Sequence, residues 1–131
     1  MRVEVTRILD ASEGLVSFRC ALGHATARWA GSTPLQLGEF DVEFDIPEEI
    51  TRWIVLTDPA PGSIAGDVEE ETGVSLTGTV VDVGEGDDPV VSIRLGSDIV
   101  MIEAPDRKWD VTPGDGVSMQ VPVIRMYPYF L

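Results

Sequence analysis

Cysteine, histidine and lysine each occur once in this chain, as Cys20, His24 and Lys108, and no stretch approaches the length of apolar sequence that spans a bilayer. A single cysteine excludes an intrachain disulfide, and with it a secreted disulfide scaffold. One cysteine and one histidine leave a structural zinc site short of ligands, and no pair has a ligand spacing. In one straight strand, Cys20 and His24 would stand about 13 Å apart, too far for a thiol–imidazole pair. No nucleophile-elbow sequence is present, and Lys108 follows no phosphate-loop pattern. The start of the chain, MRVEVTRILDASEG, lacks the apolar centre of a signal peptide. The expectation is a cytoplasmic protein that is not an enzyme, holds no metal or other cofactor and does not bind membranes.

Basic charge is scarce as well. Nine arginine and lysine residues face 23 aspartates and glutamates, a net charge of −14. Nucleic-acid affinity rests on basic groups that displace counterions, and the arginines here are scattered singly apart from Arg107–Lys108. The composition therefore excludes nucleic acid as the expected partner. A field of this sign draws cationic proteins instead.

Apolar residues make up 44% of the 131 positions, enough for one core, and 13 glycines and nine prolines punctuate short apolar runs. No helical periodicity extends beyond about two turns. The regular pattern is a period of two, which belongs to half-buried strands. Val3 and Val5 alternate with Glu4 and Thr6, and the phase blurs at Ile8–Leu9. Val16, Phe18, Cys20 and Leu22 share a face of the next run, which continues through HATARW to Trp29. The cleanest case is Glu39–Ile46, with Phe40, Val42, Phe44 and Ile46 on one side and Glu39, Asp41, Glu43 and Asp45 on the other. Trp53–Leu56 fits a short helical turn opened by Pro47 or a strand, and DPAPGSIAG (58–66) reads as a turn or linker. In Val74–Val83 the apolar phase shifts at Val80–Val81 and Gly78 lies in the middle, so this long strand is expected to bend and serve two sheets.

The reading that follows is all-β: a small antiparallel barrel in the C-terminal half, with additional N-terminal strands packed on it. Its parts are residues 1–58, an acidic turn region 59–73, and a barrel over 74–131. Runs at 74–83, 90–95, 99–104, 117–123 and 124–129 supply five strands. The closing sequence, TPGDGVSMQVPVIRMYPYFL, resembles the last strands of OB-like and TOBE-like small barrels. That resemblance implies an accessory module of the kind that recognises oligonucleotides, oligosaccharides or oxyanions, and it carries over no functional residue. The helix usual between the third and fourth strands would shrink to residues 105–112, a departure from the pattern.

Three groups of residues are candidates for function. The carboxylates of Glu39, Asp41, Glu43 and Asp45 form a row suited to a basic protein partner, as in an inhibitor or immunity-like protein that masks a cationic site. Trp29, Trp53 and Trp109 could stack a sugar or another small ligand, the alternative reading. Tyr127, Tyr129 and Phe130 form an aromatic cluster suited to a homo-oligomer contact. The loop 82–88 concentrates oxygen ligands for a weak calcium or magnesium site but lacks the EF-hand pattern.

Overall fold

The computed structural model describes residues 1–46, 52–56, 58–66, 73–85, 90–103 and 111–129. Among them are eleven strands and no helix. The strands are β1 (Arg2–Asp10), β2 (Leu15–Cys20), β3 (Gly23–Trp29), β4 (Gly38–Asp45), β5 (Arg52–Leu56) and β6 (Ser63–Ala65), followed by β7 (Val74–Val83), β8 (Val90–Leu95), β9 (Asp98–Glu103), β10 (Gly116–Val121) and β11 (Arg125–Tyr129).

Five of them close a ring in the order β1–β2–β3–β11–β4 and back to β1. Every pair in it is antiparallel except β3–β11, where Arg125 and Met126 run parallel to Arg28 and Trp29. This small closed barrel is consistent with an OB-like barrel. Its position corrects the expectation of a barrel in residues 74–131. Four of its strands come from the first 45 residues, and only β11 comes from the C-terminal half. The division at residues 58–73 therefore does not separate two sheets, because β5 to β10 are inserted between the fourth and fifth strands of the ring.

The inserted strands extend the barrel wall. The start of β3 leads through the parallel pairs Gly23↔Ile64 and His24↔Ala65 to β6, then to β7, β10 and β5. The three-residue β6 lies within the stretch read as a turn or linker, and β5 takes the strand alternative. The Pro47 helical turn and the shortened helix at 105–112 fall mostly or wholly outside the described residues.

β7 divides its pairing where its pattern anticipates, although within one continuous sheet and not between two. Residues 74–79 pair with β10, while 79–83 pair with β8, and the register slips between Val80 and Asp82 where the apolar phase changes. The extra residue of a bulge sharpens the local bend. Gly78 is required there by space, since a Cβ on it would press on the carbonyl oxygen of Arg94 and stand 2.8 Å from Cγ2 of Ile93. Two further register shifts, in β1 between Val5 and Arg7 and between Ile8 and Asp10, explain the blurred phase at Ile8–Leu9.

Continuation of the second strand through Gly23 is also corrected. Ala21 and Leu22 form a tight turn, so β2 and β3 make a hairpin in which Cys20 faces Gly23 and Arg19 faces His24. Cys20 and His24 thus point to opposite sides of the sheet. They stay apart for a different reason from the strand spacing.

Inside, Val3, Val5, Val16, Phe18, Val42 and Met126 fill the barrel and continue without a break into Ile64, Leu76, Ile93 and Val117 of the extension. Each such side chain contributes roughly 1.5–3 kcal/mol by leaving water. The ring of Phe18 lies 5.5 Å from that of Phe44. The Met1 ammonium donates to the carbonyl of Val42 and pairs with Asp98, joining the barrel to the β8–β9 turn.

Candidate recognition face

The alternation of β4 aims Phe40 and Val42 into the barrel and leaves Glu39, Asp41, Glu43 and Asp45 on its outer surface. Glu39 and Glu43 are exposed, and Asp41 and Asp45 are half-buried. The neighbours set the chemistry of this row. On one side β1 places Arg2 opposite Asp41 and Glu4 opposite Glu39. On the other, β11 places Arg125 opposite Asp45, Tyr127 opposite Glu43 and Tyr129 opposite Asp41. Residues directly opposite in an antiparallel pair share a face. The acidic row and the tyrosines, separate candidates in the sequence, therefore occupy one surface.

Within it the charges are fixed unevenly. Arg125 donates to Oδ2 of Asp45 from Nη2 at 2.7 Å and from Nε at 3.1 Å. Its guanidinium carbon lies 5.9 Å from the centre of the Tyr127 ring. The carboxylate of Asp45 raises the pKa of the Arg125 guanidinium above its ordinary value, chiefly through these hydrogen bonds. Arg2 reaches Asp41 at 3.3 Å and Glu39 at 3.8 Å, and Arg19 of β2 reaches Glu4 at 2.8 Å. Among the described residues Glu43 alone of the four carboxylates makes no ion pair. It projects beside Tyr127 with its charge uncompensated.

The tryptophans do not converge in the same way. Trp29 closes the barrel end: its ring meets Phe40 edge-on at 5.2 Å, and its indole N–H donates to the carbonyl of Thr33 at 2.7 Å. Trp53 lies on β5 opposite Met119, in the inserted sheet. Trp109 and Phe130 lie outside the described residues, as does part of the 82–88 loop. Among the described residues no group of three or more His, Cys, Asp or Glu side chains is arranged to hold a metal ion. No helix among them is long and apolar enough to cross a membrane.

One feature had no sequence signal. A groove of about 200 Å³ over β5, β10 and β7 is lined by Arg52, Ile54, Ser75, Ser118, Met119 and Gln120. These residues meet only because the edge strand β5 docks on β10, a pairing that no local pattern announces. The tyrosine row, by contrast, was visible in principle. RMYPY alternates Arg125, Tyr127 and Tyr129 against Met126, the same period as the acidic strand beside it.

Compared with models of protein families, with curated proteins and with solved structures, the chain matches none of them.

Proposed function

We propose that this chain is a non-catalytic, cytoplasmic protein-binding domain that holds a basic partner on the outer face of β1, β4 and β11. The observation that carries the reading is the alignment of Glu43 and Glu39 with Tyr127 and Tyr129 on one wall of the barrel. Tyrosines supply contact area at low entropic cost, and they are enriched where interfaces are strongest. The unpaired carboxylate beside them supplies a site for a cation, and Arg2 and Arg125 hold the flanking carboxylates in place. A net charge of −14 speeds the encounter with a basic surface. An inhibitor or immunity-like protein that covers a cationic site would have these properties.

Affinity capture with the intact chain tests this, followed by reconstitution with the purified captured protein. A partner retained by the wild type and released by added salt should bind Glu43→Lys and Tyr127→Ala at least tenfold more weakly. A partner bound equally by both variants, or insensitive to salt, overturns the reading.

A second reading, capture of a small ligand or sugar, draws on the groove over β5, β10 and β7. There Ser75, Ser118, Gln120 and Arg52 offer hydroxyl, amide and guanidinium groups. Saturable binding of a monosaccharide panel, abolished by Ser118→Val, would favour it. A flat titration would remove it.

A further inference from the structure

β9 forms one border of the inserted sheet and pairs only with β8 among the described strands. Such a border presents a row of unpaired peptide groups. Its outer face is unusually apolar: Met101 is 68% exposed, Ile99 52% and the neighbouring Val90 39%. Contiguous exposed apolar groups of this kind mark an interface. Two charged residues frame them, Arg94 opposite Ile99 and Glu103 opposite Val90. Neither makes an ion pair among the described residues.

The hairpin fixes which peptide groups are available. β8 and β9 are joined by the two-residue turn Gly96–Ser97, with Gly96 at φ 62°. In a hairpin of this kind the flanking pair, Leu95 and Asp98, exchanges both hydrogen bonds. By alternation, the N–H and C=O groups of Ile99, Met101 and Glu103 then face the open border.

We propose that this border pairs with its own copy, β9 against β9 antiparallel, about a two-fold axis through Met101. A two-fold axis normal to the sheet can pass between two hydrogen-bonded residues or between two non-hydrogen-bonded ones. Centring on Val100 or Ile102, whose peptide groups face β8, makes only about four main-chain hydrogen bonds within β9. Centring on Glu103 would set two like charges against each other, and centring on Ile99 would shorten the overlap to the hairpin tip. Met101 makes the fullest overlap, with Ile99 opposite the partner copy's glutamate and about six new main-chain hydrogen bonds. It also makes the charges self-complementary. Each arginine at 94 comes to lie two strands, roughly 10 Å between Cα atoms, from the other copy's carboxylate at 103. Long side chains on the same face span that distance across Ile99. An interface made from one strand border is small, so the dimer is expected in the micromolar range.

Sedimentation equilibrium and light scattering on the full chain, from about 10 μM to 1 mM at physiological salt, test this. The wild type should shift from monomer to dimer. Arg94→Glu and Glu103→Arg should each raise the dimer dissociation constant about tenfold, because each turns both attractive contacts of the pair into repulsive ones. Mixing the two variants should restore dimer, since the charges match again in the mixed pair. Met101→Pro, which deletes an N–H at the open border while keeping strand geometry accessible, should leave a folded monomer by circular dichroism. A wild type that stays monomeric, single variants that dimerise like the wild type, or a mixture that fails to recover each overturns the proposal.

Discussion

Replacing Gly78, Gly23 and Gly114 with alanine separates the two reasons a strand protein needs glycine. At Gly78 the backbone is ordinary and the difficulty is spatial: a Cβ would press on the carbonyl oxygen of Arg94, with Cγ2 of Ile93 at 2.8 Å and Cδ2 of Leu95 at 3.0 Å. Carbon atoms settle near 3.5–4.0 Å, so β7 and β8 must separate by up to about 1 Å at the bend. Overpacking of this kind costs about 1–3 kcal/mol, and the upper end applies because one obstacle is backbone that no rotamer change can move. At Gly114, φ is 100° and nothing lies within 4 Å, which leaves only backbone strain of about 1 kcal/mol. Gly23 carries both penalties, with φ 139° and the carbonyl of Ile64 in the way, and should cost most. Urea denaturation followed by circular dichroism should rank the losses Gly23→Ala, Gly78→Ala, Gly114→Ala, largest first. The melting point of Gly78→Ala should fall by about 10 °C for a chain of this size. A Gly78→Ala protein within about 0.5 kcal/mol of the wild type, or one less affected than Gly114→Ala, would refute the account of the β7 bend.

Phe18→Ala removes a ring that is 1% exposed and should cost about 3–5 kcal/mol by the same assay; a loss below about 2 kcal/mol would mean the barrel interior packs differently. Arg125→Met should lower the urea midpoint only slightly, because the pair with Asp45 is part-exposed and solvent screens it, and the coupling in a double-mutant cycle with Asp45→Asn should fade as salt is added; a coupling indifferent to salt would exclude the ion pair as its source. Asp10 accepts hydrogen bonds from the Ser12 hydroxyl and from the backbone N–H groups of Glu13 and Ser12, and these hold its pKa below the usual aspartate range. A depressed folded pKa stabilises the fold above the unfolded value, and that contribution is lost as pH falls through the folded one. The stability advantage of wild type over Asp10→Asn should therefore be steady near neutrality and shrink below about pH 4; an advantage that does not change with pH would exclude the Asp10 turn as its source.

How much of this was legible depends on whether a signal is local. The period of two in EFDVEFD placed the acidic row on an outer surface, and the phase change with Gly78 marked the bend and bulge of β7. Those features are written in neighbouring residues. Ring closure is not. The parallel pairing of β3 with β11 joins residues about a hundred positions apart and needs only that two apolar faces meet, so strands 74–129, which supply the right number for a barrel, imitate one in sequence. β6 escaped because three residues between prolines and glycines cannot display a period. The β2–β3 turn is hidden because Ala21–Leu22 carries little turn chemistry and Gly23, its one marker, fits equally well as an interruption inside a longer strand. The union of the tyrosines with the carboxylates follows from the β4–β11 register, which is tertiary information.

The late arrival of β11 has a consequence for how the molecule is made. On the ribosome, β1 to β4 emerge first as an open four-strand wall with the outer border of β4 unpaired, and the strand that covers it lies 80 residues beyond Asp45. Closing so long a loop while it is slack costs about 4 kcal/mol in chain entropy. The cost falls if β5 to β10 have already collapsed into a unit that carries both ends close together. The insertion then serves as the clasp of its own barrel, and mutations that slow its collapse would leave a nascent wall with a bare border open to neighbouring chains.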